Sequence, residues 1–299
     1  MKYFKISPSR TAARFEITAD TFQNVTGNIQ PFEQKNRSGK FSRYGICPSC
    51  LNPIQLIGLY SESERRPYGR HTGKNIDGLP EWNYEKYKYC PFATNKPGEP
   101  NDDDLIKIDN NVVELYDLLK TQFDRVAYII SDELKIHFTG YFWEKAMRQF
   151  LINKAYCYPW LTEVNLPYVF AYRGMHQQDI WGQKFLVNSE LFNVLKHHPN
   201  VNFEKTGGDY MFLNKKHEYL HLQLRFSKHK QIGKDGEDLR ETMMLYVDDM
   251  VSGGTIFEKK IEFDETHFIR MVEKKGNEDK RQQWLLDIAE KLMPPLARD

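Results

Sequence analysis

Cysteine is scarce: four in 299 residues are too few for the disulfide lattice of a small secreted domain. No apolar run of signal-peptide length follows Met1-Lys2-Tyr3-Phe4-Lys5. A bilayer-spanning run is missing too. The longest uncharged stretch, Tyr44 to Ser61, has 18 residues but holds Cys47, Pro48, Cys50, Asn52, Pro53 and Gln55, which break a membrane helix. Nor does charge of one sign dominate. With 42 Lys/Arg against 41 Asp/Glu the chain carries +1, which excludes a histone-like polycation and an acidic tail. There is no internal repeat and no low-complexity tract. What remains is a globular balance, 40% hydrophobic, 14% aromatic and 28% charged, and a cytoplasmic, bacterial-type protein outside the membrane is expected.

The near-zero total conceals an uneven distribution. Residues 1–100 contain 15 Lys/Arg and 9 Asp/Glu, an excess of +6, which leaves −5 for residues 101–299. Within 35–74 the cations are Lys35, Arg37, Lys40, Arg43, Arg65, Arg66, Arg70 and Lys74, opposed only by Glu62 and Glu64. A concentrated basic segment neutralises phosphates and releases their counterions, so nucleic acid is the first partner to consider. A solvated charged face is the alternative.

The sequence predicts an α+β fold in two parts. Residues 1–98 form a small basic zinc-knuckle unit, with strands over Thr11–Thr18 and Ile54–Leu59 and no helix beyond two turns. Turn formers and acids over 95–104 mark a boundary. Residues 105–299 form an α+β domain: helical over 105–156, mainly antiparallel sheet over 165–263, closing helices over 264–293. Leu105, Ile108, Val112, Leu115, Leu119 and Phe123 line one helical face, and Val126, Ile129, Ile130 and Leu134 a second segment. Thr139 caps a third helix, with Phe142, Ala146, Met147, Phe150 and Leu151 as its apolar side. Val169-Phe170-Ala171-Tyr172 reads as a short buried strand, and Ser189 caps a helix reaching His197. Val201–Lys205, Tyr210–Asn214, Tyr219–Ser227, Leu239–Asp248 and Ile256–Phe263, separated by Gly- and Asp-rich turns, predict one antiparallel meander. Asp264 and Asp279 cap the closing helices.

The sharpest motif is Cys47-Pro48-Ser49-Cys50. Two thiolates two residues apart in a tight turn can reach one tetrahedral Zn²⁺. A second pair of ligands must come from elsewhere. His71 follows Cys50 with 20 residues between, and Cys90 follows His71 with 18 between. Cys47, Cys50, His71 and Cys90 would close a three-thiolate, one-imidazole site, which makes the zinc structural because no position stays open for water. A redox dithiol is a poorer reading, since Pro53 and the alternating residues after it do not make the helix such chemistry opens. Plain thiol packing is the other alternative. A unit with few helices needs a staple, which favours the metal. Cys157, between Tyr156 and Tyr158, reads as a core residue.

Basic and aromatic residues interleave between the second and fourth ligands. Arg65, Arg66, Arg70 and Lys74 would engage phosphate, while Tyr68, Trp82, Tyr84, Tyr87 and Tyr89 either stack bases or build the core around the metal.

Several strings look catalytic. His217-Glu218-Tyr219-Leu220-His221 matches the zinc-protease pattern, but Leu220, Leu222, Leu224 and Phe226 alternate as in a strand. There the two imidazoles stand about 13 Å apart, too far to share an ion. Leu245-Tyr246-Val247-Asp248-Asp249 resembles the metal-binding turn of reverse-transcriptase palms over about five residues; paired aspartates at a strand end also make turns. Asp209, with Gln223 and Arg225 on a following strand, echoes the Asp…Glu-x-Lys cluster of metal-dependent nucleases, with two departures. His176 and Asp179 would supply acid–base groups to such a site. Ile130–Ile136 and the helix after Thr139, carrying Lys145, Arg148 and Gln149, have the outline of a helix-turn-helix or of an ordinary helical hairpin. The sequence therefore points first to a zinc-stabilised nucleic-acid-binding protein. A metal-dependent nuclease or hydrolase on the C-terminal sheet is the second reading, and a module scaffolded by zinc for a protein partner is the third.

Overall fold

The computed structural model describes every residue except 10–11, 36–38, 62–65, 95–99, 102, 217–219, 233–239, 265, 274–280 and 297–299. The chain divides into two compact units. One comprises Met1–Leu115, Cys157–Thr162 and Gln231–Glu241; the other comprises Tyr116–Tyr156, Glu163–Lys230 and Thr242–Asp299. Helices and antiparallel sheets together make the fold α+β.

In the first unit, β1 (Tyr3–Phe4) pairs with β2 (Phe15–Glu16), the short remnant of the strand expected over Thr11–Thr18. Helix α1 (Ala19–Thr26) starts where the Thr18 side chain accepts from the Thr21 amide, and stops at Gly27, whose φ of 63° suits glycine. Then β3 (Glu33–Lys35), β4 (Phe41–Ile46), β5 (Pro53–Ile57) and β6 (Tyr68–His71) make an antiparallel sheet in chain order, followed by the short helix α2 (Tyr84–Lys88). Its core gathers Met1, Phe4, Ile17, Phe22, Ile54 and Leu56 with Cys47, Cys50 and Cys90. Packing is tight along β6. A Cβ added at Gly69 would lie 2.9 Å from both Ile54 Cδ1 and Met1 Cγ, so a larger residue there would force those side chains to shift.

The second unit is helical first. Helix α3 (Asn110–Leu134), whose residues from Tyr116 on belong to this unit, is two helical segments joined at a kink, as the sequence predicts, with the non-helical residue at Gln122 (φ −123°, ψ 19°). It begins five residues after Leu105 because the Asp109 carboxylate accepts from the amides of Asn111 and Val112 and fixes the first turn there. Lys135 then takes φ 57°, and β7 (Ile136–His137) leads into α4 (Gly140–Ile152), capped by Thr139 as the sequence predicts. Next comes α5 (Leu166–Gly174), where a strand was expected over Val169–Tyr172. All residues of α5 except Tyr172 are buried. A run with no polar side has no readable period, so valine and aromatic propensity suggested a strand while burial on all faces decided for a helix. Pro167 in the first turn fits that outcome. Phe170 fills the gap between the helices, with ring centroids 5.3 Å from Phe123 and 5.1 Å from Phe150.

The remaining elements are β8 (Gln178–Asp179), β9 (Lys184–Leu186), α6 (Glu190–Leu195, capped by Ser189), β10 (Val201–Lys205), β11 (Tyr210–Lys215), β12 (Leu222–Ile232), β13 (Arg240–Asp249), β14 (Gly254–Glu262), α7 (His267–Glu273) and α8 (Gln283–Leu292). The expected single meander is instead two sheets, β10-β11-β9-β7 and β14-β13-β12-β8. The cause is local: β11 pairs with β9, and β12 takes β8 as its edge partner. Strands of two or three residues are too short to show alternation, which hid β7, β8 and β9. Asp264 accepts from the amides of Thr266 and His267 ahead of α7; Asp279 lies outside the described residues. No helix among the described residues is long and apolar enough to cross a membrane.

Candidate metal centre

Sheet geometry brings the four ligand-type side chains together. Cys47 and Cys50 occupy the β4–β5 turn, closed by the Cys47 amide donating to Asn52 O (2.9 Å) and the Leu51 amide donating to Cys47 O (3.0 Å). Leu51 takes φ 59° to complete it. His71 is the last residue of β6 and sits opposite Ile54 in register, which carries its ring toward that turn. Cys90 follows α2, its amide donating to Tyr87 O (2.9 Å). All four ligand atoms lie within 4.8 Å of one another.

The separations match one ion. Tetrahedral coordination with metal–sulfur bonds of about 2.3 Å and a metal–nitrogen bond of about 2.0 Å requires S···S edges of about 3.8 Å and S···N edges of about 3.5 Å. Cys47 Sγ and Cys90 Sγ are 3.7 Å apart, while His71 Nε2 is 3.6 Å from Cys90 Sγ and 3.2 Å from Cys50 Sγ. The three cysteines are buried and unpaired by any disulfide. The cluster is thus a closed Cys₃His set able to bind a metal ion.

The electrostatics suit a cation. Burial opposes charge on Cys47, but hydrogen bonds with Cys50 and Cys90 and the adjacent His71 charge outweigh it and hold the thiol well below its ordinary range. Burial likewise opposes charge on His71, yet the facing Cys47 sulfur pushes it up to about 11. Cys90, desolvated and beside that thiolate, is pushed well above the usual thiol range. A Cys47 thiolate thus pairs with a protonated His71 beside a protonated Cys90, and a divalent cation would have to displace the protons from His71 and Cys90.

The surroundings include groups the sequence reading did not single out. Buried Asn52 donates from Nδ2 to Cys50 Sγ (3.3 Å) and to Asn83 O (2.9 Å), and its Oδ1 accepts from the Asn83 amide (2.6 Å). Asn83 in turn caps α2 by accepting from the Lys86 amide. One amide therefore ties the thiolate turn to the helix that delivers Cys90. The only available signal was an amide side chain two residues beyond a cysteine pair. Trp82 and Tyr87 pack edge-on to the His71 ring, with centroids 6.1 and 5.0 Å away, so these two aromatics belong to the core around the site. Tyr84 is exposed. Trp160 Nε1 donates to Tyr89 O (2.9 Å), and Cys157 is buried as expected.

The cations of 35–74 fare differently from one another. Arg43 is held by Glu33 at 2.8 Å and lies over the Tyr60 ring, and Lys35 lies over Phe41. Arg66, Arg70 and Lys74 are exposed, with no acidic partner among the described residues. Arg65 lies outside those residues.

The catalytic-looking strings are dispersed. Asp209 is exposed in the β10–β11 turn, whereas Asp179 is on β8 of the other sheet, 3.2 Å from His221 Nε2. His176 Nδ1 accepts from the Phe226 amide. Asp248 accepts a bidentate pair from Arg225 and a hydrogen bond from Thr255, and Asp249 faces His198 and accepts from the Val251 amide. His217 and Glu218 are outside the described residues. Among the described residues, no second group of three His, Cys, Asp or Glu is placed to hold a metal. No protein-family model matches the chain, and neither does any curated protein or solved structure.

Proposed function

We propose that this chain is a zinc-stabilised nucleic-acid-binding protein. Cys47, Cys50, His71 and Cys90 hold a structural Zn²⁺, and Arg65, Arg66, Arg70 and Lys74 present cations to phosphate. The observation that carries this reading is the alternation of β6. His71 points into the metal cluster while Arg70, one residue earlier, is exposed on the opposite face with no acidic partner among the described residues. Fixing the imidazole fixes the guanidinium. A closed Cys₃His set leaves no coordination position for water, which suits a staple rather than a catalyst.

Two properties support nucleic acid over other partners: the +6 excess confined to 35–74, and the exposure of Arg66, Arg70 and Lys74 with no acidic partner among the described residues. Titrating the Zn²⁺-loaded full chain against a labelled oligonucleotide over a range of salt tests the reading. Four phosphate contacts give a log–log slope of about −3 to −4. Replacing Arg66, Arg70 and Lys74 together by Glu abolishes binding without loss of metal. Salt-insensitive or absent binding by the folded, metal-loaded protein refutes it; stoichiometric capture of a protein without nucleic acid would favour the scaffold reading.

A further inference from the structure

Strand β6 has a second face, and register defines what shares it. Arg70 is opposite Gln55, Gln55 is opposite Tyr44, and Tyr68 is opposite Ile57. Directly paired residues lie on one side of a sheet, so Tyr44, Gln55, Ile57, Tyr68 and Arg70 form one patch, away from the face that carries Gly45, Ile54, Gly69 and His71. The patch contains no acidic residue. Tyr44 and Tyr68 are half-buried, and among the described residues neither has a ring partner or a hydrogen bond to its hydroxyl. Arg66 precedes the strand and Lys74 follows it, both exposed.

We infer that this face is a stacking platform for single-stranded nucleic acid. The inference rests on the nucleic-acid reading above and names the form recognised. Tyrosine rings standing on a sheet offer π-faces to unpaired bases, and stacking tolerates any base. Neighbouring strands are about 4.8 Å apart with a rise of about 3.4 Å per residue, which separates the Tyr44 and Tyr68 Cα atoms by about 12 Å. That span lets two bases of one extended strand take one ring each, while Gln55 between them reaches a base edge. Arg70 on β6, with Arg66 before it and Lys74 after it, would meet the phosphates. A duplex does not fit, because its base faces are already stacked on each other. An acidic peptide would meet the cations but leave both rings unused.

The test is anisotropy of the Zn²⁺-loaded full chain with fluorescent oligothymidylate, oligouridylate and a duplex of equal length. Single strands should bind about tenfold or more tightly than the duplex. Tyr44→Leu and Tyr68→Leu keep apolar bulk but lose the π-face, and each should weaken single-strand binding by about 5- to 100-fold with zinc content unchanged. Tyr44→Phe and Tyr68→Phe should stay within about twofold, since the stacking surface survives. Duplex binding as tight as single-strand binding, unaffected by the leucine variants, overturns the platform and leaves the nucleic-acid reading standing. No binding to any of the three overturns both. Displacement of oligothymidylate by polyglutamate at equal charge, with the leucine variants unaltered, assigns the face to an acidic protein partner and also overturns it.

Discussion

The two units are held together by different means. The second encloses an aromatic interior in which Phe123, Trp143, Phe150 and Phe170 are almost wholly buried and contact one another edge-on, tilted or stacked. Among the described residues the first has short strands, two short helices, and a core that includes the three cysteines of the Cys₃His cluster. Apolar burial can carry a core of the first kind. In a core of the second kind, three close thiols and an imidazole repel or compete for protons unless a cation unites them. On the proposed zinc reading, the N-terminal unit is conditional: its fold depends on the ion its Cys₃His set holds.

Removing the metal should break that comparison most completely. Structural zinc sites contribute about 10–16 kcal/mol of apparent binding free energy, more than the whole stability of a typical domain. A strong chelator, or Cys90→Ala, should therefore unfold the first unit and leave the second intact. Limited proteolysis read by mass spectrometry would show cleavages confined to the first unit, residues 1–115, 157–162 and 231–241. Cleavage spread evenly along the chain, or none, would contradict the contrast.

The converse perturbation is Phe170→Ala. It leaves a cavity between α3, α4 and α5 and should cost about 3–5 kcal/mol. Denaturant melts should show the destabilisation while elemental analysis shows zinc retained. Smaller again is Asn52→Ala, which removes the donor on Cys50 Sγ and the link to Asn83. Metal affinity should fall about 10- to 100-fold in competition with a chromophoric chelator, without altering the melt of the second unit. An unchanged affinity would mean the turn and α2 are positioned independently.

The legible parts of this chain were those where one residue type can do only one job. Cysteines two apart in a proline turn left few alternatives, and the fold brings them to His71 and Cys90. Thr139 and Ser189 announced their helices because a hydroxyl before an apolar period is a cap. Where several jobs suit a residue, the sequence was mute. Val169–Tyr172 is apolar on every side, so it carried no period, and burial rather than propensity made it helical. Strands β7, β8 and β9 were too short to alternate, so the split of one meander into two sheets left no trace. Asn52 looked like a loop residue because its partners, a sulfur and a backbone amide 31 positions away, exist only after folding. The patch of Tyr44, Gln55 and Arg70 was hidden likewise, since cross-strand register is a property of the sheet.

If the proposal holds, a metal bound by the Cys₃His cluster on one face of β6 fixes the cationic, aromatic face on the other. Measuring oligothymidylate affinity for the full chain as loaded with Zn²⁺, stripped, and reloaded tests it most directly. Binding should disappear on stripping and return with one equivalent of Zn²⁺. Equal affinity in all three states would contradict it.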